Sequence, residues 1–388
     1  MYPKLKRAAL AAASLLAASL AAAQSDRAPD VPDALSLQTA LDFALEHNFA
    51  IRQALEAIRE QEGLIVEVKS RALPAVSLNS SYTQLDEGLA DTGPGLFPAV
   101  DHRWSITLSA RQALYEGGGI KAALTAQDKV REASLAGLET TILDALLEVR
   151  TRYYTAVLAR EQIEVEKQNI DLLEQTLENA RRRRDAGDVA DFEVLRAEVL
   201  LANAQPPLIQ RQGDYRVAIE QLRQSMGYQN YRRDTASLTK IPQLTGELAY
   251  QPFDYDLEQS LETALEQRAE LRRLAALAEA REAGVEIAKA GRRPAVDLVG
   301  AYGKQKSNFS DDWDDAPEGW TLGVEASWNI WDGNRVRGQL IQARSQLDQT
   351  RIEQESTRLA IEVQVRQAVS DLLQADQLAQ TASKVVEQ

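Results

Sequence analysis

The chain holds 388 residues, 44% hydrophobic and 26% charged, enough to bury a sizeable core and, by length, to form two or three domains. A formal net charge of −14 argues against nucleic acid as a partner, and the modest glycine and proline content excludes collagen-like and wholly disordered chains. Because cysteine is absent, disulfides and thiolate-bound metals are excluded too.

Residues 1–23 carry Lys4, Lys6 and Arg7, then an Ala/Leu/Ser run ending in Ala21-Ala22-Ala23. That order predicts a cleaved export signal. Its removal takes away three cations and no acid, so the net charge falls from −14 to −17. No later apolar run approaches the ~20 residues of a spanning helix, so any passage through a membrane falls to strands. Residues 24–36 read as a loose leader.

From Leu37 the chain contains one stretch twice. Shifted by 220 positions, Leu37, Leu41, Ala44, Leu45, Glu46, Arg52, Glu62, Lys69, Pro74, Ala75, Val76, Leu78 and Tyr82 fall on identical residues, without a gap. Two copies of one folding unit are expected, at 37–228 and 257–388, joined by an irregular connector at 229–256. In the first copy, Leu37, Leu41, Ala44, Leu45, Ile51, Leu55 and Ile58 recur at helical spacing. They predict one amphipathic helix from Ser36 to about Ala72, stopped by Pro74. From Ala75 the period drops to two. Val76, Leu78, Ser80 and Tyr82 alternate with Ser77, Asn79, Ser81 and Thr83, and Trp104, Ile106, Leu108 and Ala110 do so with Ser105, Thr107, Ser109 and Arg111. Strands are expected at about 75–84 and 103–112, around a loop at 86–101. An apolar face opposite a small polar one suits a strand in an outer-membrane barrel, and Tyr82 and Trp104 stand where an aromatic girdle would lie. A soluble sandwich edge alternates in the same way.

Gly117-Gly118-Gly119 ends the hairpin, and a helix with no proline is expected from Ile120 to about Arg184, roughly 100 Å long. It carries two adjacent apolar stripes, one through Ile142, Leu146, Val149, Tyr153 and Ala156, the other through Leu143, Leu147, Tyr154 and Val157. Such a helix has neighbours on both sides. Arg181–Arg184 and Gly187 close it, and Val189 opens a return helix that Pro206-Pro207 is expected to kink or break before it ends near Gly227. The second copy repeats the plan. It reads as a helix at 257–292, Pro294, strands at about 295–304 and 320–330, a turn at Gly333 and a long helix. With the offset now 216, Gln388 falls on Leu172, so a complete second copy is expected to continue into a further Gly-containing tip and return helix.

The chemistry-bearing residues are few. His47 and His102 have no acidic–His–Ser arrangement around them, so neither predicts catalysis. The run Asp311-Asp312-Trp313-Asp314-Asp315 lacks the spacing of a calcium loop and reads as a solvated surface. Arg181–Arg184 suit either helix-end stabilisation or a docking partner. The acidic balance suits either a cation-favouring lumen or a solvated surface. No cofactor or metal is implied.

The segment from Arg181 to Glu198, the following Ala202-Asn203-Ala204-Gln205-Pro206-Pro207-Leu208-Ile209, and the turns Tyr115-Glu116-Gly117 and Trp331-Asp332-Gly333 resemble the signature of TolC-type outer-membrane efflux proteins. The resemblance extends from about Leu35 to Gln388. It implies an α+β membrane protein with an internal two-fold repeat, its long helical hairpins forming a periplasmic α-barrel. Four strands per subunit would join one twelve-stranded transmembrane β-barrel in a homotrimer seated in outer-membrane lipid.

The same resemblance implies a non-enzymatic export channel, joined by a periplasmic membrane-fusion adaptor to an inner-membrane pump. Gly187, Asp188, Val189 and Ala190 would form the adaptor-docking tip, and Glu193 would stand where the family usually has an aspartate near the entrance. Pro74 and Pro294 mark helix-to-strand switches; Gly117, Gly118 and Gly333 mark strand-to-helix turns. Two alternatives stay open. One is the outer-membrane conduit of a type I protein secretion system. The other is a soluble periplasmic coiled-coil adaptor or spacer, although such a protein would carry one hairpin rather than two copies of this plan.

Overall fold

The computed structural model describes residues 34–86, 102–228, 242–253, 256–306 and 313–387. The expected export signal, most of the leader, the loop at 87–101, most of the connector and Asp311-Asp312 lie outside the described residues. The chain divides into two compact units that do not follow the repeat. One draws its described residues from 34–53 and 141–251, the other from 54–140 and 252–387.

In the first unit, Ser36 caps helix α1 (Leu37–His47), its Oγ accepting the Thr39 amide at 3.1 Å. The single helix expected from Ser36 to Ala72 is two. Asn48 leaves the helical region, with φ −59° and ψ 131°, and α2 (Phe49–Ser70) starts anew. Asn48 Oδ1 accepts from the amides of Ala50 at 2.8 Å and Ile51 at 3.2 Å, so a side chain replaces the carbonyl of a preceding turn. The long helix α3 (Gly119–Asp185) turns back into α4 (Asp191–Met226). Within this unit Val149, Tyr153, Ala156 and Val157 of α3 are buried with Ala40 and Ala44 of α1 and Ile219, Leu222 and Met226 of α4. The two-residue strands β1 (Ala34–Leu35) and β4 (Gln243–Leu244) pair in parallel and add Leu35 and Leu244 to that core. Of the expected stripes on α3, the first is packed here, whereas Leu143, Leu147 and Tyr154 of the second are exposed.

Pro206-Pro207 do not break α4, which is continuous from Asp191 to Met226. Without their N–H groups the carbonyls of Ala202 and Asn203 lose helical partners. Both residues are exposed, so water can take those bonds.

The second unit is built around one antiparallel sheet. Its strands are β2 (Ala75–Gln84), β3 (His102–Glu116), β5 (Ala295–Gln305) and β6 (Glu318–Ser327), in the order β2-β3-β5-β6. The two hairpins join through β3 and β5, with Leu108 opposite Tyr302 and Ala110 opposite Gly300. β3 is longer than its alternation predicts, taking in Tyr115 and Glu116, because a register shift between Ala113 and Tyr115 absorbs the change of phase. β6 stops at Ser327, short of the expected 330.

Pro74 and Pro294 each stand one residue before a strand, holding the preceding residue out of the helical region. After β3, Gly117 and Gly118 turn with φ of 60° and 85°; a Cβ on Gly117 would lie 2.6 Å from the Ala290 oxygen. In the second copy Gly333 and Asn334 make the turn, with φ of 66° and 70°. Helix α5 (Leu257–Gln267) and α6 (Ala269–Ala290) are again separated by one residue, Arg268. Both pack against α7 (Arg335–Glu387), which buries Val336, Leu340 and Ile361.

Candidate functional site

Two places in the chain carry features that packing alone does not explain: the tip between α3 and α4, and the two faces of the sheet.

At the tip, α3 ends in a left-handed closure. The Asp188 amide donates to the Arg183 oxygen and the Gly187 amide to the Arg184 oxygen, both at 2.9 Å. Gly187 has φ 82°, and nothing lies within 4 Å of where a Cβ would be. Glycine is therefore required by the backbone and not by crowding. Val189 and Ala190 complete the turn, with Ala190 extended at φ −77° and ψ 157° and offering no side-chain cap. Asp191 and Glu193 place negative charge in the first turn of α4, where the helix dipole favours it. Arg181 reaches across to Glu198 at 2.8 Å, Arg182 pairs with Glu178 at 3.5 Å and Arg184 binds Asp185 at 2.6 Å, so three of the four arginines serve the hairpin itself. That hydrogen bond to Asp185 holds the Arg184 guanidinium above its ordinary pKa.

Beneath the turn, Leu177, Val194 and Ala197 make a small buried cluster. Phe192 and Leu195 point away from it, 68% and 57% exposed. Sequence reasoning missed both, because apolar residues at helical spacing read as core; Phe192 immediately after the turn was the available signal. The structure thus brings Gly187, Asp188, Val189 and Ala190 together at one exposed end, with Glu193 and Phe192 just beyond.

The sheet has two chemically distinct faces. On one, register sets Val76, Leu78 and Tyr82 opposite Ala110, Leu108 and Trp104, and Leu298, Gly300 and Tyr302 opposite Val324, Leu322 and Trp320. This face stays bare in the single chain. Leu78 and Leu322, in the middle of their strands, are 68% and 67% exposed. Aromatic residues mark both ends: Tyr82, Trp104, Tyr302 and Trp320 at the loop side, and Trp328 at the helix side, its Nε1 donating to the Arg292 oxygen at 3.0 Å. From Trp320 to Trp328 is about 26 Å along an extended chain, or roughly 20 Å of height at the tilt of a barrel strand, most of a hydrocarbon band. Trp328 falls inside the expected strand at 320–330, where alternation reads it as one more apolar-face residue rather than as a girdle residue.

The opposite face is polar. Ser77 and Ser109 are hydrogen-bonded at 2.8 Å, Ser81 and Ser105 likewise, and Arg111 is paired with Asp297 at 2.6 Å. β2 and β6 each have a neighbour on one side only among the described residues, so the sheet has two open edges. No described helix is long and apolar enough to cross a membrane.

His47 donates from Nδ1 to the Phe43 oxygen, 3.0 Å away, and stacks on the Phe43 ring. His102 lies 2.8 Å from Lys306 Nζ. Among the described residues no three His, Asp or Glu side chains are placed to hold a metal.

The sequence profile of the outer membrane efflux protein family matches residues 40–228 and 260–388. The chain belongs to that family. Among related proteins, Protein CyaE of Bordetella pertussis is 28% identical over 348 residues, covering 88% of this chain and 69% of that protein. The Campylobacter jejuni CmeC outer membrane channel superposes with a TM-score of 0.71 at 16% identity, covering 90% of this chain and 75% of its own. The outer membrane protein VceC of Vibrio cholerae gives 0.69 at 18% identity, over 90% of this chain and 81% of its own. As a member of the outer membrane efflux family, the chain is an outer-membrane channel subunit with a periplasmic extension. Members of that family are channel proteins.

Proposed function

We propose that three copies of this chain close one twelve-stranded barrel, and that a periplasmic adaptor bound to an inner-membrane pump docks on the tip at residues 186–190. The observation that carries the first part is the sheet: four strands, one apolar face and two open edges. Unpaired edge groups are costly in hydrocarbon, and four strands are too few to enclose a pore. Pairing β2 of one subunit with β6 of the next satisfies both edges. The polar face then lines the lumen.

Because the natural chain has no cysteine, engineered pairs report only the designed contact. Single cysteines at Ser77, Asn79 or Ser81 on β2, combined with one at Thr321, Gly323 or Glu325 on β6, should give covalent trimers for at least one register under oxidation. Monomers in every combination would sink the closure.

The docking role rests on the tip. Gly187, Asp188, Val189 and Ala190 are surface residues whose only packing duty is the turn, and exposed Phe192 supplies an apolar contact beside them. Asp188→Arg should leave the trimer intact and abolish its co-purification with the adaptor. Unchanged co-purification would remove the tip from the interface. Glu193, in the first turn of α4, is the candidate acid near the entrance. The proline and glycine positions at the strand ends act by geometry and touch no cargo. Two cargo classes remain to be separated, small molecules and a secreted protein. Deleting the gene and scoring drug sensitivity against loss of an exported protein distinguishes them.

A further inference from the structure

The whole chain is acidic, yet one part of its polar sheet face is rich in arginine. Where the strands meet the helices, a cavity of about 410 Å³ is lined by Arg71, Arg111, Arg293 and Arg335 together with Glu116 and Asp297. All of it lies within the second unit. Its strand residues Asp297 and Arg111 are on the side of the sheet that also bears Ser77, Ser109 and Glu325.

Charge inside the cavity is not balanced pair by pair. Arg71 binds Glu116 at 2.7 Å and Arg111 binds Asp297 at 2.6 Å, with Glu325 a further 4.0 Å from Arg111. The Arg293 guanidinium donates to a backbone carbonyl, that of Gly117, at 2.8 Å. Arg335, in the first turn of α7, is exposed and has no carboxylate partner among the described residues. Arg293 thus has a backbone carbonyl as its hydrogen-bond partner, with the Glu286 carboxylate acting on it without a direct bond, and Arg335 faces the cavity without a carboxylate to neutralise it. A guanidinium presents a planar fork of N–H donors that fits two oxygens of a carboxylate or phosphate. Within a narrow, low-dielectric pore, such charges act on solutes far more strongly than on an open surface.

The geometry points to an oxyanion site at the strand–helix junction of the lumen. Arg335 and Arg293 hold a carboxylate or phosphate group of a passing solute and make this level of the channel prefer anions, although the protein as a whole is acidic. The site rests on the trimeric-channel reading above, in which the polar face lines the pore.

Arg335 is the residue to change, because Arg293 also packs against the Gly117 turn. Purified trimers in planar bilayers, bathed in a potassium chloride gradient, report anion-over-cation permeability through the reversal potential. Inorganic phosphate added to one side is the probe. Wild-type conductance should fall with phosphate. R335Q should lose that response and lower the anion preference about threefold, while R335K keeps both. R337Q removes the same charge two residues on, at an exposed position outside the cavity, and should match wild type.

A wild-type channel indifferent to phosphate overturns the site. So does an R335Q channel with unchanged permeability, or an R337Q channel shifted equally, which would assign the effect to overall charge. Wild-type trimers that conduct no ions at all would overturn the channel reading itself, and that result is read without any variant.

Discussion

Asn48 and Arg268 occupy the same position in the two copies, and the helix breaks at both with nearly the same backbone, φ −59° and ψ 131° at Asn48, φ −61° and ψ 125° at Arg268. The means of holding the break differ. Asn48 is buried; its Oδ1 caps α2 and its Nδ2 donates to the Ser225 oxygen at 2.7 Å. Gly227 packs onto it from α4, left-handed at φ 77°, so close that an added Cβ would lie 2.9 Å from the Asn48 Cα. Arg268 offers α6 no side-chain cap and pairs with its neighbour Glu270 at 3.1 Å. The break thus belongs to the path of the backbone, which two unlike residues can follow. A buried amide appears at the copy where a helix end is packed against it.

Gly227→Ala should be the most disruptive change at this pair. The residue would need a conformation that costs about 1–2 kcal/mol without glycine, and its Cβ would collide with backbone atoms of His47 and Asn48 that have no room to move. A loss of about 3 kcal/mol or more is expected in urea unfolding of the helical signal. A loss below about 1 kcal/mol would mean that the close approach does not exist. Asn48→Ala comes next. It strands the buried Ser225 carbonyl and uncaps α2, for about 2–3 kcal/mol. Arg268→Ala, at the equivalent break, should stay within about 0.5 kcal/mol. Equal losses at the two positions would refute the distinction between them.

Tyr153 extends the same contrast within the first unit. It is fully buried, its hydroxyl donating to the Leu35 oxygen at 3.1 Å and accepting the Gly246 amide at 2.9 Å. That one group ties β1 and the stretch after β4 onto α3. Tyr153→Phe should cost about 1–2 kcal/mol by the same unfolding measurement. It should also raise hydrogen exchange at the Gly246 amide, a change that a mere loss of packing would not confine to one site.

How legible these features were depends on what each leaves in a sequence. Strand alternation exposed both faces of the sheet, since period two separates Leu78 from Ser77 without any partner in view. The joining of β3 to β5 was invisible, because contact between the copies leaves no local pattern. Gly187 announced the tip, as a left-handed closure demands glycine. Asn48 and Arg268 announced nothing: a one-residue break without glycine or proline barely disturbs helical spacing. Pro206-Pro207 carried the opposite signal, yet the break that they allow does not occur: α4 runs on through them, and the carbonyls they free belong to exposed residues, where water can replace the lost bonds. At the sheet–helix junction, Arg335 could be read as an exposed helix cation; only the fold sets it beside Arg71, Arg111 and Arg293.

The smallest expected effect lies in the second unit, where exposed ion pairs link helices: Lys129 to Glu279 at 2.7 Å, Arg272 to Glu139 at 2.6 Å and Arg351 to Glu282 at 2.6 Å. Such pairs are screened by salt and contribute little singly. Hydrogen bonds to Glu279 and Glu132 hold the Lys129 ammonium above the usual lysine range. Since its pKa is raised in the folded state, its contribution is fully present below the unfolded value of about 10.4 and is lost as pH rises through the folded value. Lys129→Met should therefore lower the unfolding midpoint slightly at low salt, equally at pH 7 and pH 9, and the difference should vanish in molar salt. Asn48→Ala, acting through buried hydrogen bonds, should keep its full cost in the same salt. A Lys129 effect that survives molar salt would place the pair among the buried, unscreened contacts, and the contrast between the units would fail.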